Sequence, residues 1–168
     1  SDYGKGGLSN VPQIISLANQ RAIPVVVDPK GTDFSDYREA TIVTPNTSEF
    51  VQSVGDCPTT EEFNKKAYSL IEKLSLQGLL VTRGPDGMTL FVEDGTFVNQ
   101  SSNAKQVYDV SGAGDTVVAA IAVFLGCGMS WSEILEYANI AAGIVVGKFG
   151  TATVTLPEIV RQLERVTA

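Results

Sequence analysis

The chain has 168 residues, 43% of them hydrophobic, which is one domain's length with enough apolar material for a core. Its formal net charge of −7 argues against nucleic acid or an anionic membrane surface as partner, although a local nest of N–H groups with a lysine can still hold a nucleotide. There is no histidine, which removes Ser-His-Asp chemistry and histidine zinc sites; catalysis must rest on carboxylates, lysine or arginine, backbone amides and a hard metal ion.

Cys57 and Cys127 are far apart and form no Cys-x-x-Cys pair, so both are expected to be reduced, in a cytoplasmic protein. No apolar run reaches membrane-spanning length and no signal-peptide pattern is read. Ser1-Asp2-Tyr3-Gly4-Lys5-Gly6-Gly7 reads like the loop after a strand, so the sequence is expected to be a piece of a longer protein.

Asn10-Val11-Pro12 opens the first predicted helix, with Ile14, Ile15, Leu17 and Ala18 expected on its inner face and Pro12 where a first-turn proline is tolerated. Residues 23–27 form a β-branched run that predicts a buried parallel strand ending in Asp28-Pro29-Lys30. A second strand is expected over 41–44, followed by a short helix from Asn46-Thr47-Ser48-Glu49. Thr59-Thr60-Glu61-Glu62 has capping-box spacing and leads a helix to about Leu74, with Phe63, Ala67, Leu70, Ile71 and Leu74 on one face. A third strand over 79–82 ends in Arg83-Gly84-Pro85-Asp86-Gly87; strands over 88–92 and 96–98 form an antiparallel hairpin.

The stretch 107–124 organises the reading. A short apolar run ends at Asp109, a Gly112-Ala113-Gly114 turn follows, and Asp115 opens an apolar, alanine-rich segment expected to be a buried helix. The free N–H groups of such a helix N-terminus suit an anion such as phosphate. An aspartate there would repel the anion unless it accepts a proton from a hydroxyl attacking the bound phosphoryl group. An Asp that only caps a helix is the competing reading, and spacing alone does not separate the two. Ser130-Trp131-Ser132-Glu133 starts a further helix to about Val146, and Thr155-Leu156-Pro157-Glu158 the last one, both with capping-box spacing.

Alternating strands and helices predict an α/β fold with a largely parallel sheet and an antiparallel edge. In such sheets ligands sit beyond the carboxyl ends of strands. Asp28 and Lys30, Asn46 and Glu49, Thr82 and Gly84, and Asp109 to Asp115 are expected to gather on that rim. Asn46 and Glu49, three apart, suit a hydrated Mg²⁺, against the competing reading of a plain capping box, which the pair judged alone favours. Lys30 would neutralise a phosphate or be a solvated lysine. Two other motifs fail: Val117 stands where a dinucleotide fingerprint needs glycine, and Gly143 to Phe149 has one residue too few for a P-loop.

Asp109-Val110-Ser111-Gly112-Ala113-Gly114-Asp115-Thr116 resembles the C-terminal signature of the ribokinase-like (PfkB) sugar kinases, with Val110 in place of the usual threonine. Asn46-Thr47-Ser48-Glu49 is similar to that family's Asn-x-x-Glu motif, 81–87 to its nucleotide-binding strand and turn, and 138–143 to the helix bordering the adenine. Within the family, Ser1-Asp2-Tyr3-Gly4-Lys5-Gly6, residues 27–33 and residues 145–154 most resemble the heptose-7-phosphate kinase domain of bifunctional ADP-heptose synthases of lipopolysaccharide biosynthesis.

The resemblance implies a three-layer ribokinase-like fold and ATP-dependent phosphorylation of a phosphorylated sugar. Residues 1–168 would be one domain, the C-terminal ATP-binding and catalytic-base part, without the N-terminal sugar-binding half and lid. Asp115 would be the base and the amides of Gly112, Ala113 and Gly114 the anion hole. Asn46 and Glu49 would organise Mg²⁺ and its waters; Lys30, Thr47, Ser48, Thr82, Gly84 and Gly87 would lie along ATP, with Asn139 and Gly143 near the adenine. Asp109 would suit a monovalent cation such as K⁺. A homodimer and fusion to a nucleotidyltransferase domain stay open, as do another PfkB substrate and a non-catalytic nucleotide-binding module. Weak or no turnover is expected from these residues alone.

Overall fold

The computed structural model of the chain describes residue 8, residues 10–104 and residues 107–167. The glycine-rich opening at 1–7, and the resemblance carried by it, lie outside the described residues. Among the described residues the fold is mixed α/β, with six α-helices and a five-stranded sheet in the order β1-β2-β3-β4-β5. The helices are α1 Val11–Asn19, α2 Thr47–Val54, α3 Thr60–Leu74, α4 Ala113–Gly126, α5 Trp131–Val146 and α6 Leu156–Thr167. The strands are β1 Val26–Val27, β2 Ile42–Val43, β3 Gly78–Thr82, β4 Met88–Val92 and β5 Phe97–Gln100. The chain divides into two compact units, one with the described residues up to Arg83 and Thr89–Asn99, the other with Gly84–Met88 and the residues from Gln100 onward.

In the first unit, β1, β2 and β3 pair in parallel, with Val27 beside Val43 and Val43 beside Leu79. This register places the carboxyl ends of the three strands on one edge of the sheet. β4 and β5 form the edge hairpin, closed where the Val92 N–H donates to the Thr96 carbonyl at 2.9 Å. The core is apolar: Val27, Val43, Leu79 and Val81 of the sheet meet Phe50 of α2 and Ala67, Leu70, Ile71 and Leu74 of α3. Phe50 is fully buried, a burial contributing roughly 2–3 kcal/mol. α3 follows the expected stripe, with Phe63 half-buried at its start.

The expectation for α1 needs correction. Only Ile15 is fully buried, whereas Ile14 is 50% and Leu17 45% exposed. Val11, Ile15 and Ala18, spaced four and three apart, define the stripe turned inward, and Ile14 and Leu17 fall outside it. β1 is also shorter than the run 23–27, since Ile23 and Pro24 are exposed ahead of the paired residues.

In the second unit, α4 packs along α5, with Val117, Ala120, Ile121 and Phe124 buried in α4 and Ile134, Leu135, Ala138 and Ala141 in α5. Phe124 meets Tyr137 edge-on, with ring centroids 5.2 Å apart. α4 is one-sided instead of buried all round: Val123 is 61% exposed. The segment before it, 107–110, is loop. One of the three capping-box spacings closes reciprocally. Ser130 accepts the Glu133 N–H while Glu133 accepts the Ser130 N–H at 2.9 Å. Glu158 accepts both the N–H and the hydroxyl of Thr155, but its own N–H donates to the Thr155 carbonyl at 3.1 Å instead of the side chain. Thr59 caps α3 through the Glu62 N–H, and the Glu62 carboxylate takes the Thr59 hydroxyl instead of its N–H. Among the described residues no helix is long and apolar enough to cross a membrane.

Candidate functional site

The carboxyl ends of β1, β2 and β3 carry the first group of polar residues. Asn46 bridges to Thr82 in parallel register, and the Thr82 N–H donates to the Pro45 carbonyl at 3.0 Å. The Thr47 hydroxyl adds a bond to the Thr82 carbonyl at 3.2 Å. Asn46 is the N-cap of α2: its Oδ1 accepts the Glu49 N–H at 2.9 Å, and Glu49 Oε2 accepts the Asn46 N–H at 2.9 Å. The residues expected to organise an ion therefore form a capping box, and the reciprocal bonds hold the Glu49 carboxylate at the helix start.

Lys30, two residues beyond β1, reaches both neighbouring carboxylates. Its Nζ lies 2.8 Å from Glu49 Oε1 and 3.2 Å from Asp28 Oδ1. Burial works to lower the pKa of the ammonium, but the bonds and charges of Glu49 and Asp28 outweigh it and carry it above the ordinary lysine value. Lys30 is thus a fixed cation between two carboxylates. Among the described residues no cluster of three Asp, Glu, His or Cys could cage a metal ion. Asn46 and Glu49 instead fit a hard divalent ion that keeps most of its waters and brings phosphate oxygens as ligands.

The second unit carries the remaining candidates. Gly84 opens the short 3₁₀ turn Gly84–Asp86 and Gly87 follows it. Gly87 has φ +86°, and a Cβ there would run into the Gln100 carbonyl and the backbone of Ser101 and Ser102. The α4 N-terminus is built by an Asx turn, in which the Asp109 carboxylate accepts the Ser111 N–H at 2.8 Å. That bond, with a further one from the Gly150 N–H, holds the Asp109 carboxyl below its ordinary pKa. The Ala113 N–H, expected as part of the anion hole, instead donates to the Val110 carbonyl at 3.2 Å, because Gly112, at φ +78°, turns the chain back on itself as the N-cap of the helix.

Gly112 has no side chain to cap the amides beyond it. Among the described residues no acceptor meets the N–H groups of Gly114 and Asp115. Gly114 and Asp115 are exposed, and a Cβ on Gly114 would meet nothing within 4 Å. The bend is open, with uncommitted donors and a carboxylate side by side. Beside it a groove of about 480 Å³ runs from Gly112, Asp115 and Thr116 to Val123, Phe124 and Leu156.

Another cleft in this unit, of about 460 Å³, is lined by Asn103, Tyr108, Ile140, Gly143, Ile144 and Gln162. Gly143 lies on it. Asn139, by contrast, is buried and donates through Nδ2 to the Ser101 carbonyl at 2.7 Å, so it holds the loop that carries Asn103. Asn103, Tyr108 and Gln162 were not marked by any sequence pattern. Folding alone brings them together.

The sequence pattern of pfkB family carbohydrate kinases matches residues 8–159. The chain is 48% identical over all 168 residues to bifunctional protein HldE of Coxiella burnetii (strain Dugway 5J108-111), and 52% identical over 159 residues to that of Pasteurella multocida (strain Pm70). These alignments cover 100% and 95% of this chain but 35% and 33% of the relatives, so the chain spans about a third of their length. Among solved structures, Arabidopsis thaliana ribokinase complexed with ribose and ATP superposes with a TM-score of 0.83 at 28% identity, over 92% of this chain and 52% of that one. Escherichia coli phosphofructokinase-2 in complex with potassium superposes at 0.82 with 20% identity, over 94% of this chain and 52% of that one, a likeness of fold. The architecture is ribokinase-like, and the chain belongs to the pfkB family of carbohydrate kinases.

Proposed function

We propose that this chain is the ATP-binding and base-bearing part of a kinase that phosphorylates the anomeric hydroxyl of D-glycero-D-manno-heptose 7-phosphate, as a step toward ADP-heptose. The observation that carries the reading is the open α4 N-terminus, where the amides of Gly114 and Asp115 lack acceptors among the described residues beside an exposed carboxylate. Identity of about half to HldE proteins across the chain supports the heptose substrate, and the ribokinase structure with ribose and ATP supports a sugar and ATP as reactants. The HldE relatives' greater length supports fusion to a second enzymatic domain.

Asp115 accepts the proton of the sugar hydroxyl as its oxygen forms a bond to the γ-phosphorus and the bond to the ADP oxygen breaks. The α4 amides receive the phosphoryl oxygens as charge builds on them, the larger of the two effects, because phosphoryl transfer depends mainly on charge stabilisation and positioning. Lys30, Thr47, Ser48, Thr82, Gly84 and Gly87 line the phosphates. Gly143 borders the adenine, and Asn139 supports that border from behind. Mg²⁺, held through water by Asn46 and Glu49, supplies charge neutralisation on the phosphates when bound. Asp109 is the candidate for a K⁺ site beside the bend.

The test is phosphorylation by the intact protein on a panel of sugars and sugar phosphates. Activity on heptose 7-phosphate above the others is expected; activity confined to ribose, fructose phosphate or a nucleoside ends the heptose assignment. No phosphorylation of any alcohol, with ATP still bound, would leave a nucleotide-binding module.

A further inference from the structure

Asp28 has no place in the reading above, yet it is a carboxylate only 7% exposed at the end of β1. A buried charge destabilises unless paired, and a neutral side chain of the same shape is often as stable or more so. Asp28 meets the Lys30 ammonium at 3.2 Å, and Glu49 meets the same ammonium at 2.8 Å. Lys30 follows two residues later, past Pro29, which restricts the backbone of the turn. Glu49 is itself held by the Asn46 N–H at 2.9 Å. The row Asp28, Lys30, Glu49, Asn46 is thus fixed at both ends, by a strand terminus and by a helix cap.

A lysine side chain has four rotatable torsions and loses much freedom when it must meet a phosphate in one geometry. Freezing it beforehand removes that loss from the binding step. Without Asp28, the ammonium has Glu49 as its carboxylate partner in this row and can follow that carboxylate's rotamers. With Asp28, it is held by two carboxylates from separate elements.

We propose that Asp28 is a positioning residue, which acts on the nucleotide only through Lys30 by holding its ammonium in place for the phosphates. This rests on the phosphate-binding role of Lys30 given above.

The test is a double-mutant cycle in the intact protein, reading the Kd for MgATP by calorimetry and kcat and KM by kinetics. Lys30→Gln should raise Kd and KM about tenfold or more, and Asp28→Asn by several-fold, with a smaller change in kcat. Asp28→Asn added to Lys30→Gln should then bring no further loss. A merely structural Asp28 would weaken binding equally in either background, and that multiplicative outcome overturns the proposal, as does an unchanged Kd for Asp28→Asn alone. If Lys30→Gln itself leaves Kd unchanged, the phosphate role of Lys30 is what fails. Should Asp28→Asn not fold, Asp28→Glu carries the same cycle, because it keeps the charge and displaces the oxygens: a several-fold loss with Lys30 present and none with Gln at 30 is expected, and equal losses overturn it.

Discussion

Asn46 and Glu49 cap each other across the first turn of α2, each taking the other's backbone N–H at 2.9 Å. The bonds that start the helix also aim the carboxylate proposed to organise the metal, so stability and activity are coupled at these positions. Asn46→Ala should destabilise the protein by about 1 kcal/mol through the lost cap. Glu49→Gln keeps an acceptor for the Asn46 N–H and removes the charge; its thermal midpoint should move less than that of Asn46→Ala, while the Mg²⁺ needed for half-maximal activity rises about tenfold or more. Thermal denaturation beside a Mg²⁺ titration checks both, and a Glu49→Gln enzyme with unaltered Mg²⁺ dependence would remove Glu49 from the metal site.

Asp115 is exposed, so its removal should spare the fold. Asp115→Asn in the intact kinase is expected to lower kcat by about 10²–10⁴-fold and to leave the Kd for ATP nearly unchanged. Turnover near wild type would mean that Asp115 is only a first-turn acidic residue of α4.

The glycines of the bend separate conformation from access. Gly112→Ala forces a non-glycine residue to φ +78° and brings its methyl to 3.3 Å from Thr151 Cγ2, which should destabilise by about 1–2 kcal/mol. Gly114→Ala has neither difficulty, since its φ is not positive and its methyl meets nothing within 4 Å. Stability should be kept or slightly raised, by up to about 1 kcal/mol, while the methyl stands at the bend proposed to receive the phosphoryl, so turnover should fall. Circular dichroism melts with steady-state kinetics decide the matter; full activity in Gly114→Ala would place the phosphoryl elsewhere.

A staple between the loop after α5 and the start of α6 should show in the pH dependence of stability. Lys148 Nζ lies 2.6 Å from Glu158 Oε1 and donates to the Thr153 carbonyl at 2.7 Å. The bond from Lys148, then those from the Thr155 N–H and hydroxyl, lower the Glu158 pKa from 4.5 to about 2. A folded-state pKa below the unfolded one stabilises fully above the unfolded value, and the gain is lost as pH falls from about 4.5 toward about 2. The pair is part-exposed, so it contributes ~0.2–1 kcal/mol. Glu158→Gln should lower the thermal midpoint by about 1–4 °C at pH 7, and the difference should vanish near pH 2. A difference constant across that range would rule out the charge as its source.

Most elements were legible in the sequence because their signals are local. Ser130 with Glu133 and Asn46 with Glu49 satisfy each other within one helical turn, and short apolar runs such as 79–82 read as strand without knowledge of their neighbours. The inner face of α1 is not legible because its apolar residues fall on two stripes, Val11 with Ile15 and Ala18 and Ile14 with Leu17, and packing of Ile15 chose between them.

By itself, then, the sequence determined the alternation of strands and helices, the glycine bend with its adjacent carboxylate, and family membership, all written in residues close along the chain. Tertiary structure decided which distant groups meet. Lys30 reaches Glu49, 19 positions on, because β1 and β2 pair in parallel with their carboxyl ends level, and Asn139 turns inward because Ser101 offers its carbonyl. Such pairings depend on strand register and on competition among buried polar groups for partners, and those exist only once the chain has folded.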